Sequence, residues 1–346
     1  MNYFESTQIA GLAAHYVGNK NNEEELLLSQ HEISLNEQLK QVLHAYFLSS
    51  FKEGQYYQFI IGEEQEHNTV YQLVTQIFDH PEQLHEHSVA IAQHLYEQGV
   101  HPKIKGGELY VAYFKECVVD GEVCDAVGIF KSENKDLFLK VQEQGGSLVI
   151  ETEEGININK LDKGCLIFNI EPESGYTVSV VDQTSRGSES KFWTDLFLNL
   201  KPKEDLYFHT KQVLTLCKEF INQELPEQIE INRAQQVDLL QRSVEYFKEN
   251  DQFEQEQFKE QVLVEPEVIQ SFEQFQEQRA ADNQLLPLQQ FEISEKAVKR
   301  ETKYIRSVIK LDKNFHIYVH GDRRLIEQGN EMDGRKYYKL YFEEEK

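Results

Sequence analysis

Four cations near the C-terminus, Lys296, Lys299, Arg300 and Lys303, follow the i, i+3, i+4, i+7 spacing that puts side chains on one face of a helix. Ammonium and guanidinium groups arrayed this way supply charge without a base-reading code. The chemistry they suit is phosphate contact with little sequence selectivity. Arg306, Lys310, Lys313, Arg323 and Arg324 follow, and these nine side chains form the candidate DNA-binding set. From Lys296 to Tyr341 there are twelve basic and six acidic side chains, a net +6 in a chain whose total is −25. The remainder therefore carries −31. Such an anionic body repels phosphate, so direct contact with nucleic acid is open only to this local basic surface.

The same face could instead be solvated, or could dock on the chain's own acidic stretch. Residues 251–295 hold eleven acidic side chains and two basic ones, Lys259 and Arg279. If that stretch shields the basic face, deleting it is expected to raise DNA affinity.

Other chemistry has little support. His80, His85, His87 and His94 invite a metal reading, but no His-Glu-x-x-His motif and no Cys or Asp array completes a zinc-like set. No metal and no cofactor is expected. There is no Gly-x-Ser-x-Gly elbow, no Walker loop and no Gly-x-Gly-x-x-Gly after a strand, so the chain reads as no enzyme. Cys165 sits in an apolar strand pattern and reads as core. Trp193 could anchor an interface, but reads more readily as a core aromatic.

The elements that must position the basic face follow from periodicity. The first hundred residues read as mainly helical. Ser34 and Glu37 form a capping box, and a second helix runs from near Pro81 to before Gly99 with Leu84, Ile91 and Leu95 buried. From about Gly107 the period becomes two, over 109–114, 127–131, 136–141, 148–151, 156–159, 165–170 and 176–181. A polar 132–135 turn joins the second and third of these. Strands so closely spaced predict an antiparallel sheet. Helical period returns near Tyr207, with Val213, Leu216, Cys217 and Phe220 in one stripe. Val237, Leu240, Val244 and Phe247 form another behind an Asn232 N-cap. Phe258, Val262, Phe272 and Phe275 predict amphipathic helices, divided at Pro266. A basic helix between Ser294 and Tyr304 then precedes a 308–311/315–320 hairpin and a 336–342 strand.

The fold class expected is α+β: an N-terminal antiparallel sheet with helices, a helical middle region and a small C-terminal α+β module. Domains are expected at 1–205, 206–292 and 293–346. With 40% hydrophobic and 11% aromatic residues the chain can build cores. It has no apolar run of membrane-spanning length and no secretory signal at Met1, so no membrane partner is expected. Its four cysteines, with no Cys-x-x-Cys pair, read as reduced thiols in the cytoplasm. The amphipathic helices could pack within one chain or across a two-fold axis, which admits a homodimer.

Residues 125–133 (DAVGIFKSE), 160–169 (KLDKGCLIFN), 192–198 (FWTDLFL) and 309–319 (IKLDKNFHIYV) resemble the bacterial nucleoid-associated protein family in content, order and spacing. The resemblance spans nearly the whole chain and rests on scaffold residues. It implies a cytoplasmic protein recovered with the bacterial chromosome, with no catalytic residues to carry over. Two functions are consistent with it. One is weak, non-specific binding of double-stranded DNA through the basic C-terminal module. The other is an acidic adaptor recruited by a DNA-bound protein, such as a topoisomerase or a nucleoid architectural protein.

Overall fold

Apolar residues alternate along the central strands, and both faces of the resulting sheet are covered. The structure is a computed structural model describing residues 4–51, 54–62, 68–184, 192–282, 287–304, 308–311, 315–318, 325–342 and 344. It divides into two compact units, residues 1–203 and 204–346. The first unit begins with β1 (Gln8–Val17), β2 (Leu26–Leu28), α1 (Glu37–Leu48), β3 (Tyr57–Phe59), α2 (Thr69–Asp79) and α3 (Leu84–Gln98). It continues with β4 (Gly107–Val119), β5 (Glu122–Ser132), β6 (Asp136–Gln144), β7 (Ser147–Gly155), β8 (Lys163–Phe168), β9 (Thr177–Asp182) and β10 (Leu200–Pro202).

Eight strands form one antiparallel sheet in the order β10-β3-β9-β8-β5-β4-β1-β2. On one face Val111, Val127, Ile129, Ile167 and Val178 pack with Val74 and Ile77 of α2, Leu84, Ile91 and Leu95 of α3, and Trp193. The other face sends Phe114, Phe130, Leu166 and Phe168 against Phe47 of α1. Phe47 and Phe130 stack with centroids 4.2 Å apart. Gly128 makes that stack feasible, because a Cβ there would lie 2.4 Å from the Phe130 ring. Cys165 and Trp193 are buried core, as their patterns predict.

Several local expectations are corrected. The alanine-rich Gln8–Val17 is a strand next to β4, not helix; tertiary pairing overrides the helix preference of alanine. A further helix, α2, precedes α3. Asn36, not Ser34, caps α1, accepting from the Leu39 N–H at 2.8 Å; Ser34 lies outside the first turn. The 132–135 turn does not join a hairpin. It is held by Asp162, whose carboxylate accepts from the Glu133 and Asn134 backbone N–H groups. β5 pairs with β4 and β8, while β6 pairs with β7 as a separate ribbon. Residues 156–159 form no strand.

The second unit contains α4 (Leu206–Glu219), α5 (Leu225–Gln228), α6 (Arg233–Glu249), β11 (Gln252–Glu254), α7 (Gln255–Phe258), α8 (Pro266–Ala281), β12 (Gln290–Glu292) and α9 (Glu295–Glu301). After these come β13 (Val308–Leu311), β14 (Phe315–Tyr318), β15 (Ile326–Asn330) and β16 (Lys336–Leu340). Asn232 and Gln235 form a reciprocal capping box at the start of α6. Phe220, Phe247, Phe253, Phe258, Phe272 and Phe291 share one core with Val298 of α9. Ile309 of β13 packs with Ala234 and Val237 of α6. The acidic 251–295 stretch supplies much of that core. Its deletion would remove buried phenylalanines along with the charge, so the deletion expected to unmask the basic face would test stability instead.

Candidate nucleic-acid interface

α9 is built from its first residue to show one face and bury the other. The Ser294 side chain accepts from the Ala297 N–H, while the Ser294 N–H donates to Thr210 Oγ1 at 2.9 Å and ties the helix start to α4. Ala297 and Val298 are buried. The Tyr207 hydroxyl donates to Glu301 at 3.1 Å, fixing the other end. Burial pushes the Tyr207 phenol up to about 12, partly opposed by the Arg300 charge.

With the apolar side anchored, Lys296, Lys299 and Arg300 stand exposed on α9, and Lys303 is exposed on the 3-10 turn Thr302–Tyr304 that follows. Lys299 and Arg300 occupy the last turn, where the helix dipole favours cations. Lys299 and Lys303 form no ion pair with any described residue. Cations in the helical stretch behave differently. Lys259 pairs with Glu256 and Glu273, Arg279 with Glu219, and Arg242 with Asp238.

Four of the nine candidates are thus brought together. Lys310 lies on β13, with its backbone opposite His316. Arg306, Lys313, Arg323 and Arg324 lie outside the described residues. Three further cations of the segment, Arg335, Lys336 and Lys339, are exposed on or beside β16. Arg335 pairs with Asp333 at 2.7 Å, and Lys339 stands 3.9 Å from Glu327 and over the Tyr341 ring. The Asp-x-Arg spacing at 333–335 is a sequence signal for that neutralisation.

A second constellation has the composition of a catalytic dyad. His15 Nε2 lies 2.9 Å from Ser88 Oγ. Its Nδ1 accepts from the Ser29 backbone N–H, so Nε2 carries the proton of the neutral ring and donates to Ser88. Ser88 in turn donates to the His85 carbonyl at 2.7 Å. The serine proton is committed to a carbonyl and the imidazole has no free base position, so the arrangement ties β1 to α3. Burial, then the neighbouring His85, holds the His15 imidazole down at about 4. Between about 4 and 6.5 the unfolded chain therefore binds the proton that the folded chain refuses, and stability falls as pH falls. Urea unfolding at neutral and acidic pH is expected to show up to ~3 kcal/mol of such loss in the wild type, and less in His15→Gln. Equal losses in the two proteins would contradict it.

Two other histidines meet backbone carbonyls, while the buried His87 Nε2 has no hydrogen-bond partner. His85 Nε2 is 2.9 Å from the Ser29 carbonyl and His94 Nε2 is 3.2 Å from that of Phe197. Among the described residues no group of three His, Cys, Asp or Glu side chains could hold a metal ion. Cys117, Cys165 and Cys217 are buried, Cys124 half-buried, and all four are free thiols. Burial pushes Cys117, Cys124 and Cys217 up to about 12 and Cys165 upward as well. No described helix is long and apolar enough to cross a membrane.

Comparison with curated proteins found no match. The family model described as nucleoid-associated protein YejK matches residues 14–333, a span running from β1 through α9 to the 331–335 turn. With nearly the whole chain matched, this protein belongs to the nucleoid-associated protein YejK family.

Proposed function

We propose that the protein contacts double-stranded DNA directly, weakly and without sequence specificity, through the cationic face of α9. Lys296, Lys299, Arg300 and Lys303 make the phosphate contacts, and Arg306, Lys310, Lys313, Arg323 and Arg324 of the same basic segment add further charge to them. The observation that carries this reading is the state of Lys299 and Lys303: exposed, and without an ion-pair partner among the described residues, on a helix whose opposite side is core. The −31 carried elsewhere keeps the affinity low. In this reading the protein acts in the cytoplasm, on the nucleoid, without catalysis and without a cofactor.

Fluorescence anisotropy with two unrelated naked duplexes of equal length tests this. The two affinities are expected to agree within about threefold, since side chains that meet only phosphate carry no sequence information. A strong preference for one duplex would overturn the non-specific reading. Absence of binding to both would favour the acidic adaptor, which reaches the nucleoid through a basic DNA-bound protein such as a topoisomerase.

A further inference from the structure

Two buried lysines face each other across the sheet of the first unit. Lys131 of β5 and Lys163 of β8 are directly opposed in the antiparallel register, so their side chains share a face. The two residues are only 2% and 5% exposed. Like charges opposed in this way repel, and taking two ammonium groups out of water is costly. Glu133 offsets them, 2.8 Å from Lys163 and 3.3 Å from Lys131. Asp182 stands further off, 3.7 Å from Lys163.

Beside this network lies a cavity of about 60 Å³, lined among the described residues by Lys103, Lys105, Glu133, Lys163, Thr184 and Phe192. That is room for about four waters or one tetrahedral oxyanion. Three lysines line it against one carboxylate, and Lys131 already holds that carboxylate from outside the lining. The cavity is therefore a local surplus of positive charge in a chain of −25. Its rim is held in place from behind. The fully buried Asn19 donates to the His101 and Ile104 carbonyls at 2.9 and 2.6 Å, and Lys131 donates to the Lys105 carbonyl. These bonds pin the 101–105 loop by its backbone and leave the Lys103 and Lys105 side chains exposed. Lys105 gives one of its three N–H groups to Asn134 and keeps two for a ligand.

We propose that this cavity binds a phosphate-type oxyanion, as free phosphate or as the phosphate of a small phosphorylated molecule such as a nucleoside monophosphate. Lys103, Lys105 and Lys163 hold the anion by charge-assisted hydrogen bonds, and Phe192 supplies an apolar wall beside it. The site belongs to the first unit and takes a small molecule, so it is independent of DNA contact by α9.

Equilibrium dialysis of the full chain at constant ionic strength, against radiolabelled inorganic phosphate and separately against radiolabelled AMP, tests the proposal. About one molecule is expected to bind per chain, and Lys103→Gln with Lys105→Gln should weaken binding at least ~10-fold. Circular dichroism of that variant should be unchanged, because both side chains are exposed. Lys299→Gln with Lys303→Gln, in the second unit, should retain phosphate like the wild type. AMP held more tightly than phosphate identifies an esterified phosphate as the ligand; equal or weaker retention of AMP identifies the free anion. No retention of either probe at millimolar concentration overturns the proposal, as does undiminished retention by the Lys103→Gln/Lys105→Gln variant. Loss of retention in Lys299→Gln/Lys303→Gln would place the bound phosphate on α9 and overturn it equally.

Discussion

Replacing Lys296, Lys299, Arg300 and Lys303 together with glutamate is expected to abolish retention on naked duplex DNA while the protein stays folded. Each position is exposed, so the exchange creates no cavity and buries no charge. Two modest costs are foreseen: glutamates at 299 and 300 oppose the helix dipole, and the Arg300 interaction with Tyr207 is lost. The electrostatic effect is far larger. Four phosphate partners vanish and four repulsive charges replace them, so affinity at low salt should fall by more than ~1,000-fold. A matching quadruple glutamine variant should fall in between. An unchanged mobility shift in the glutamate variant, with an intact circular dichroism spectrum, would remove α9 from the interface.

The second large effect concerns stability, at a site far from α9 in sequence. Glu133 lies between two buried lysines. It is 2.8 Å from Lys163 and 3.3 Å from Lys131, with its own side chain 4% exposed and that of Lys131 2% exposed. Burial pulls the Lys131 ammonium below its ordinary value, and Glu133 partly restores it. Lys131 also donates to the Lys105 carbonyl, while Lys163 reaches Asp182 at 3.7 Å and hydrogen-bonds Thr184. Glu133→Ala would strand Lys131 in a low-dielectric site and leave Lys163 only the longer Asp182 pair, which costs about 3–5 kcal/mol when one partner of a buried pair is removed. For a unit of this size that corresponds to a Tm lower by roughly 10 °C, measurable by calorimetry. A Tm within a degree or two of wild type would mean that water or Asp182 compensates for the lost carboxylate.

Glu133 also marks where sequence reading stopped. Ser132 to Lys135 is polar and carries turn residues, and nothing local distinguishes a solvated turn from a buried ion network whose partners lie thirty residues away. Alternation identified the strands from β4 to β9, because side chains on a pleated strand must alternate. It could not say which strand pairs with which, so β5 and β6 looked like one hairpin. β1 was hidden for a different reason: Ala10, Ala13 and Ala14 favour helix in isolation, and only pairing with β4 and β2 makes them strand. By contrast, α3, the Asn232 N-cap and α9 were legible, because caps and i, i+3, i+4 stripes are local signals. The α9 cations were legible as a face for the same reason, and Ala297 and Val298 supplied the buried side. Whether a given lysine is neutralised was not legible. Lys259 meets Glu273 across a turn between helices, while Lys299 meets no carboxylate among the described residues.

The salt dependence of naked-duplex binding by the purified protein tests the central claim most directly. Contact through about four to six phosphates is expected to give a log–log slope of roughly −4 to −5, with binding readily seen at low salt and largely gone above physiological salt. A flat slope, or no binding at low salt, would contradict direct contact by the α9 face.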